Sequence, residues 1–188
     1  PVGAPSVKNP AMALCAVDGM GGVGKSALAI QAANMYADSF PDGQLYVNLQ
    51  GATTGLSPLD PLDALGHMLR ALGCDPAAIP GQVGEAAARF RSLAAGRRLL
   101  ILLDNAGSAQ QVRPLLPAGP GSAVLITSRR PLVTLEGAYA LHLDVLPEQH
   151  ALELLRQMAG PERVAAQPEA AVAVTRWCGC ISRAATWT

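Results

Sequence analysis

Apolar and polar positions along the 188-residue chain switch between two patterns. Short, nearly unbroken apolar runs suit strands buried on both faces. Between them lie longer segments with apolar residues every three or four positions, which suit helices covering a sheet. The first run spans residues 11–17. Residues 27–37 follow with strong helix formers and no Gly or Pro, and stop before Asp38-Ser39-Phe40-Pro41. Residues 44–49, after a Pro-Asp-Gly turn signal, predict a second strand. After a loop, residues 62–72 and 83–95 predict two amphipathic helices, stopped by Gly73 and Gly96. Residues 97–104 are the next strand: Leu99 to Leu103 is wholly apolar and ends in Asp104. Residues 110–116 predict a short helix, broken by Pro114 or ending near Pro117. Residues 122–130 predict a strand ending in hydroxyls and guanidinium groups, and residues 139–145 alternate as an edge strand. Two more helices are expected, from Pro147 through Met158 with a stop at Gly160-Pro161, and from Pro168 to Trp177.

Helices separating apolar strands imply a parallel sheet covered on both faces. The expected fold is α/β, a P-loop NTPase three-layer sandwich followed by the start of a small helical subdomain. Residues 1–10 read as a tail or linker, 11–146 as the nucleotide-binding domain, and 147–188 as helical subdomain, truncated or altered at its end.

The chemistry concentrates in one run. Gly19-Met20-Gly21-Gly22-Val23-Gly24-Lys25-Ser26 fits the phosphate-binding pattern G-x-x-x-x-G-K-[ST]. Its glycines let the backbone turn through positive φ and bring N–H groups close to an anion. Those groups and the start of the next helix form an anion site. Gly19, Gly21, Gly22, Val23 and Gly24 would cradle phosphates, Lys25 would reach the β- and γ-phosphates, and the Ser26 hydroxyl would sit on Mg²⁺. The strand before and the helix after give the motif the context it needs.

Asp104 ends an apolar strand, as a central parallel strand delivers a carboxylate to the carboxyl edge of its sheet. It is the candidate acid that holds Mg²⁺ with Ser26. The alternative is an ordinary strand-ending Asp that caps the next helix. The long interval between Lys25 and Asp104 leaves room for an added strand between the two phosphate-site strands. The residue after Asp104 is Asn105, not Glu. An amide can orient water but cannot accept its proton, so binding is expected to be better developed than turnover. Arg129, just past a strand end, could fork onto a γ-phosphate or be a plain surface arginine. Arg130 is expected to point away.

Composition narrows the partners. Lys and Arg total 14, as do Asp and Glu, so the net charge is zero and no basic excess for nucleic acid exists. Only Lys8 and Lys25 are lysines, so the lysine in the glycine-rich run is not background. No apolar stretch approaches a membrane span, and no signal peptide is visible at Pro1, an opening that suggests a fragment or processed chain. The four cysteines, Cys15, Cys74, Cys178 and Cys180, and the scattered histidines have no zinc-site spacing. With nothing arguing for disulfides, a cytoplasmic setting is expected.

Three segments in order carry a resemblance: the glycine-rich run, Leu100-Ile101-Leu102-Leu103-Asp104-Asn105-Ala106, and Val124-Leu125-Ile126-Thr127-Ser128-Arg129. Together they resemble the NB-ARC nucleotide-binding domain of the signal-transduction (STAND) ATPases. Leu-Asp-Asn-Ala and the later Leu146-Pro147-Glu148 look most like bacterial regulators of the antibiotic-regulatory (SARP, AfsR-like) type. The resemblance implies ADP in a resting state and ATP in an active one, with Arg129 sensing the γ-phosphate. It also implies partner domains, a DNA-binding domain before this module and a repeat-type sensor after it. Near Cys178-Gly179 the family continues Gly-Leu-Pro-Leu-Ala. Here residues 180–188 depart from that wording, which bears on the adenine side of the pocket.

Overall fold

The computed structural model describes residues 12–53 and 55–179. The strand β1 (Ala13–Asp18) leads through the glycine-rich loop into helix α1 (Lys25–Met35). Next come β2 (Gln44–Asn48), α2 (Pro61–Ala71), α3 (Val83–Ala94), β3 (Leu100–Ala106), α4 (Ala109–Val112), β4 (Ala123–Ser128) and β5 (Tyr139–His142). Helices α5 (Glu148–Ala159), α6 (Pro161–Ala166) and α7 (Pro168–Gly179) follow. The expected tail over 1–10 and the departure from the family pattern over 180–188 lie outside the described residues.

The strands form one sheet in the order β2-β3-β4-β1-β5, and every neighbouring pair is parallel. Central β3 is buried on both faces, from Leu100 through Leu103, which explains its unbroken apolar sequence. Side chains alternate between faces along a strand. Leu45, Val47, Ile101, Leu103, Val124 and Ile126 share the main core with Leu65, Met68 and Leu69 of α2 and Phe90 of α3. Leu100, Leu102 and Asp104 alternate to the opposite face. There α1 packs against β3 and β4, and its Ser26 bonds Asp104. Helices on both faces make the three-layer sandwich.

The inserted strand is present but comes from elsewhere in the sequence. β4 separates β1 from β3, and it follows Asp104 in the chain. The interval before Asp104 carries the chain out to β2 at the edge. Three further expectations change. The strand expected to end at Asp104 continues to Ala106. The segment that alternated as an edge strand does lie at the edge, but all four residues of β5 are exposed. Gly160-Pro161 was expected to stop a helix. Gly160, at φ 91°, does end α5, but Pro161 takes the first position of another helix, α6, where its missing N–H costs nothing.

The chain divides into two compact units. Among the described residues, the first holds β1 to Gly19 and then Gly24–His142, and the second holds Met20–Val23 and Leu143–Gly179. In the second, α5 packs on α6 and α7, and Arg176 of α7 pairs with Glu148 of α5 at 3.2 Å. Val164, Ala171 and Thr175 are its buried residues among those described.

Candidate functional site

The loop between β1 and α1 has the backbone that its glycines were expected to supply. Gly19, Gly22 and Gly24 have φ of 140°, 82° and 100°, while Gly21 is not among the positive-φ positions. At Gly24 a Cβ would meet nothing within 4 Å, so the left-handed backbone, not crowding, selects glycine there. The Val23 N–H donates to the Met20 carbonyl at 3.4 Å. Gly24 precedes α1 without any side-chain cap, and the Leu28 N–H closes the first turn onto the Gly24 carbonyl at 2.9 Å.

Lys25 lies at the helix start, 8% exposed, with its Nζ donating to the Gly19 carbonyl at 2.8 Å. Burial holds its ammonium below the usual lysine range, and the Arg129 guanidinium pushes the same way; the Asp104 and Asp18 carboxylates oppose them. Each of these charges is therefore close enough to be felt at one point. Asp18, buried at the end of β1, is itself paired with His142 of β5.

Asp104 is the hub. Its Oδ1 accepts from the Ser26 hydroxyl at 2.7 Å and the Thr127 hydroxyl at 2.5 Å, and its Oδ2 from the Tyr46 hydroxyl at 3.3 Å. The alternative reading as a helix cap fails, because Ser108 caps α4, accepting from the Gln111 N–H. Two hard oxygen donors on one spot, a hydroxyl and a carboxylate, fit a hard divalent cation such as Mg²⁺. Asn105 adopts a left-handed conformation, φ 56°, where the β3–β4 register shifts between Leu103 and Ala106. Its N–H donates to the Thr127 hydroxyl oxygen at 2.8 Å, and its side-chain amide to Thr53 at 2.9 Å.

Arg129 follows β4 and is exposed. Arg130 does not point away as expected: both arginines line one cavity. The reason is a turn in which the Arg130 N–H donates to the Ser128 hydroxyl oxygen at 3.2 Å. Lys25, Ser26, Asp104 and Arg129 are thus brought to one edge of the sheet. Sequence reasoning missed Tyr46 and Thr127. Thr127 stood among the hydroxyls at its strand end, and Tyr46 was read only as a strand residue.

Thr127 holds two groups at once. Thr127→Val is expected to lower stability by about 1–3 kcal/mol, because it strands the Asn105 N–H and removes a donor from a buried carboxylate. Chemical denaturation checks it; an unchanged midpoint would show the two bonds to be dispensable.

The comparisons agree with this geometry. Residues 6–165 match the NB-ARC domain family. The chain is 50% identical over 174 residues to the regulatory protein AfsR of Streptomyces griseus, covering 93% of this chain and 18% of that one. The chain therefore spans less than a fifth of that regulator's length. A signal transduction ATPase with numerous domains (STAND) protein with a tetratricopeptide repeat sensor, from Pyrococcus horikoshii, superposes with a TM-score of 0.54 at 21% identity, covering 88% of this chain and 25% of that one. Cdc6p from Pyrobaculum aerophilum gives 0.52 at 16% identity, over 79% of this chain and 44% of that one. Loop, strand order and family match converge, and the chain belongs to the NB-ARC family of P-loop nucleotide-binding domains.

Proposed function

We propose that this chain is the ATP- and ADP-binding switch domain of a bacterial transcriptional regulator, with slow hydrolysis at most. The observation that carries the reading is the meeting of Lys25, Ser26 and Asp104 at one sheet edge, 78 residues apart in sequence for the last two. The loop Gly19 to Gly24 offers its N–H groups to phosphates, and Lys25 turns from the Gly19 carbonyl to the β- and γ-phosphates. Ser26 and Asp104 hold Mg²⁺, which when bound neutralises charge on the phosphates. Thr127 and Tyr46 keep the Asp104 carboxylate oriented. Arg129 contacts the γ-phosphate and so distinguishes ATP from ADP.

Turnover is weak in this reading for a structural reason. A strong hydrolase needs a base for the attacking water, and Asn105, in the place beside Asp104, has its amide committed to Thr53. In this reading the nucleotide-binding domain runs over 11–146 and the helical subdomain from 147. DNA contact and signal sensing belong to the remaining length of the larger regulator, in the cytoplasm. No described helix is long and apolar enough to cross a membrane.

Nucleotide retained through purification and identified after denaturation tests the reading. Bound ADP is the expected result. Phosphate release at about 10 s⁻¹, typical of enzymes, would make the protein an ATPase, and a persistently empty site that also refuses added nucleotide would make it a scaffold.

A further inference from the structure

A cavity of about 370 Å³ opens at the carboxyl ends of β2, β3 and β4, between the connections that follow β2 and β3 and the turn after β4. Gly51, Ala106, Gly107, Ser128, Arg129 and Arg130 line it. Its walls are tied together. The Gly51 N–H donates to the Asn105 carbonyl at 2.7 Å, and the Ser128 hydroxyl to the Ala106 carbonyl at 3.0 Å. The Arg130 N–H donates back to the Ser128 oxygen. The two arginines therefore project from an anchored turn.

No carboxylate lines the cavity. Among the described residues, neither guanidinium has an acidic partner within 4.0 Å; the described ion pairs lie elsewhere. Two adjacent arginines without an acidic partner, lining a space larger than a small oxyanion, are matched by an anion able to accept from both forks at once. Arg129 has a second engagement, since its charge is felt at Lys25. Arg130 stands beside it on the same lining.

We propose that this cavity is a second oxyanion site, which takes the inorganic phosphate cut from a nucleotide bound at the glycine-rich loop. The inference rests on the nucleotide reading above. Hydrolysis joins a water oxygen to the γ-phosphorus and breaks its bond to the β–γ bridging oxygen, which keeps the electron pair. The products are ADP, phosphate and one proton. Phosphate leaving in this direction stays within reach of Arg129 and gains Arg130. A resting protein would then hold ADP and phosphate side by side, and release of the phosphate would be a separate event from hydrolysis.

Calorimetric titration of inorganic phosphate, with and without ADP, tests the site in wild type, Arg130→Gln and Lys25→Ala. Phosphate is expected to bind the ADP-loaded wild type. Arg130→Gln should weaken phosphate at least about tenfold, since it removes a charged fork, and leave ADP affinity unchanged. Lys25→Ala should lose ADP and keep phosphate. Displacement of phosphate by ADP, or indifference to Arg130→Gln, would overturn the proposal, because the anion would then sit in the glycine-rich loop. Acetate binding as well as phosphate would overturn it too, by making the cavity a carboxylate site. A protein that takes phosphate through Arg130 but never ADP would keep the oxyanion site and lose the nucleotide reading, so the two failures are distinct.

Discussion

Lys25→Ala is expected to weaken ATP and ADP binding at least about 100-fold, a loss of roughly 3 kcal/mol, while the protein stays folded. The two halves of this expectation have one cause. Lys25 is 8% exposed; burial holds its ammonium below the usual lysine range, and the Arg129 charge pushes the same way. Burying a cation in that position costs desolvation. Its removal forfeits the bond to the Gly19 carbonyl and the pull of the Asp104 and Asp18 carboxylates, and it relieves the burial of an ammonium and the push of the Arg129 charge; with terms of both signs, the melting transition should stay near that of the wild type. With a nucleotide bound, the same ammonium is expected to meet phosphate oxygens, where a charge-assisted contact is worth more than a neutral one. Titration with a fluorescent nucleotide, alongside thermal denaturation, checks both halves. Unchanged affinity would remove the site assignment altogether.

Gly51→Ala is expected to cost stability by about 3 kcal/mol or more. A Cβ built on Gly51 would lie 2.0 Å from the Gly107 nitrogen, 2.3 Å from its Cα and 2.5 Å from the Ala106 carbonyl carbon. All three are backbone atoms, so no side-chain rotation can relieve the overlap. The two connections must part, and with them goes the bond from the Gly51 N–H to the Asn105 carbonyl. Because Asn105 adjoins Asp104, the damage should extend to nucleotide affinity. Urea denaturation measures the first effect. A midpoint within error of the wild type would show that the β2 and β3 connections separate freely.

Much of the site was readable because its central residues carry their own context. Lys25 and Ser26 stand in a run whose glycines announce the backbone they need, and Asp104 ends an apolar segment that only a central strand would tolerate. Tyr46 and Thr127 gave no such sign, since their roles depend on sheet register. Tyr46 pairs with Leu102, two residues before Asp104 and on its face, and Thr127 reaches Asp104 only because β4 lies beside β3. A local pattern carries neither fact. The left-handed Asn105 was hidden for a related reason. An Asn in an apolar strand reads as a weak strand residue, whereas here the register shift and the Thr127 hydroxyl together hold it at φ 56°. Helix α6 escaped because Gly-Pro serves equally as a stop and as the junction of two helices.

Asp104 has both carboxylate oxygens engaged by hydroxyls of this chain, and no described buried side-chain polar atom lacks a partner. The fold itself therefore fixes where this carboxylate stands and which way it points, through hydroxyls carried by α1, β2 and β4. On the nucleotide reading, such a site would need no rebuilding between one nucleotide and the next. A divalent cation held by Ser26 and Asp104 would take the place of the bond between them, so the loss of that bond would be part of the cost of loading the site.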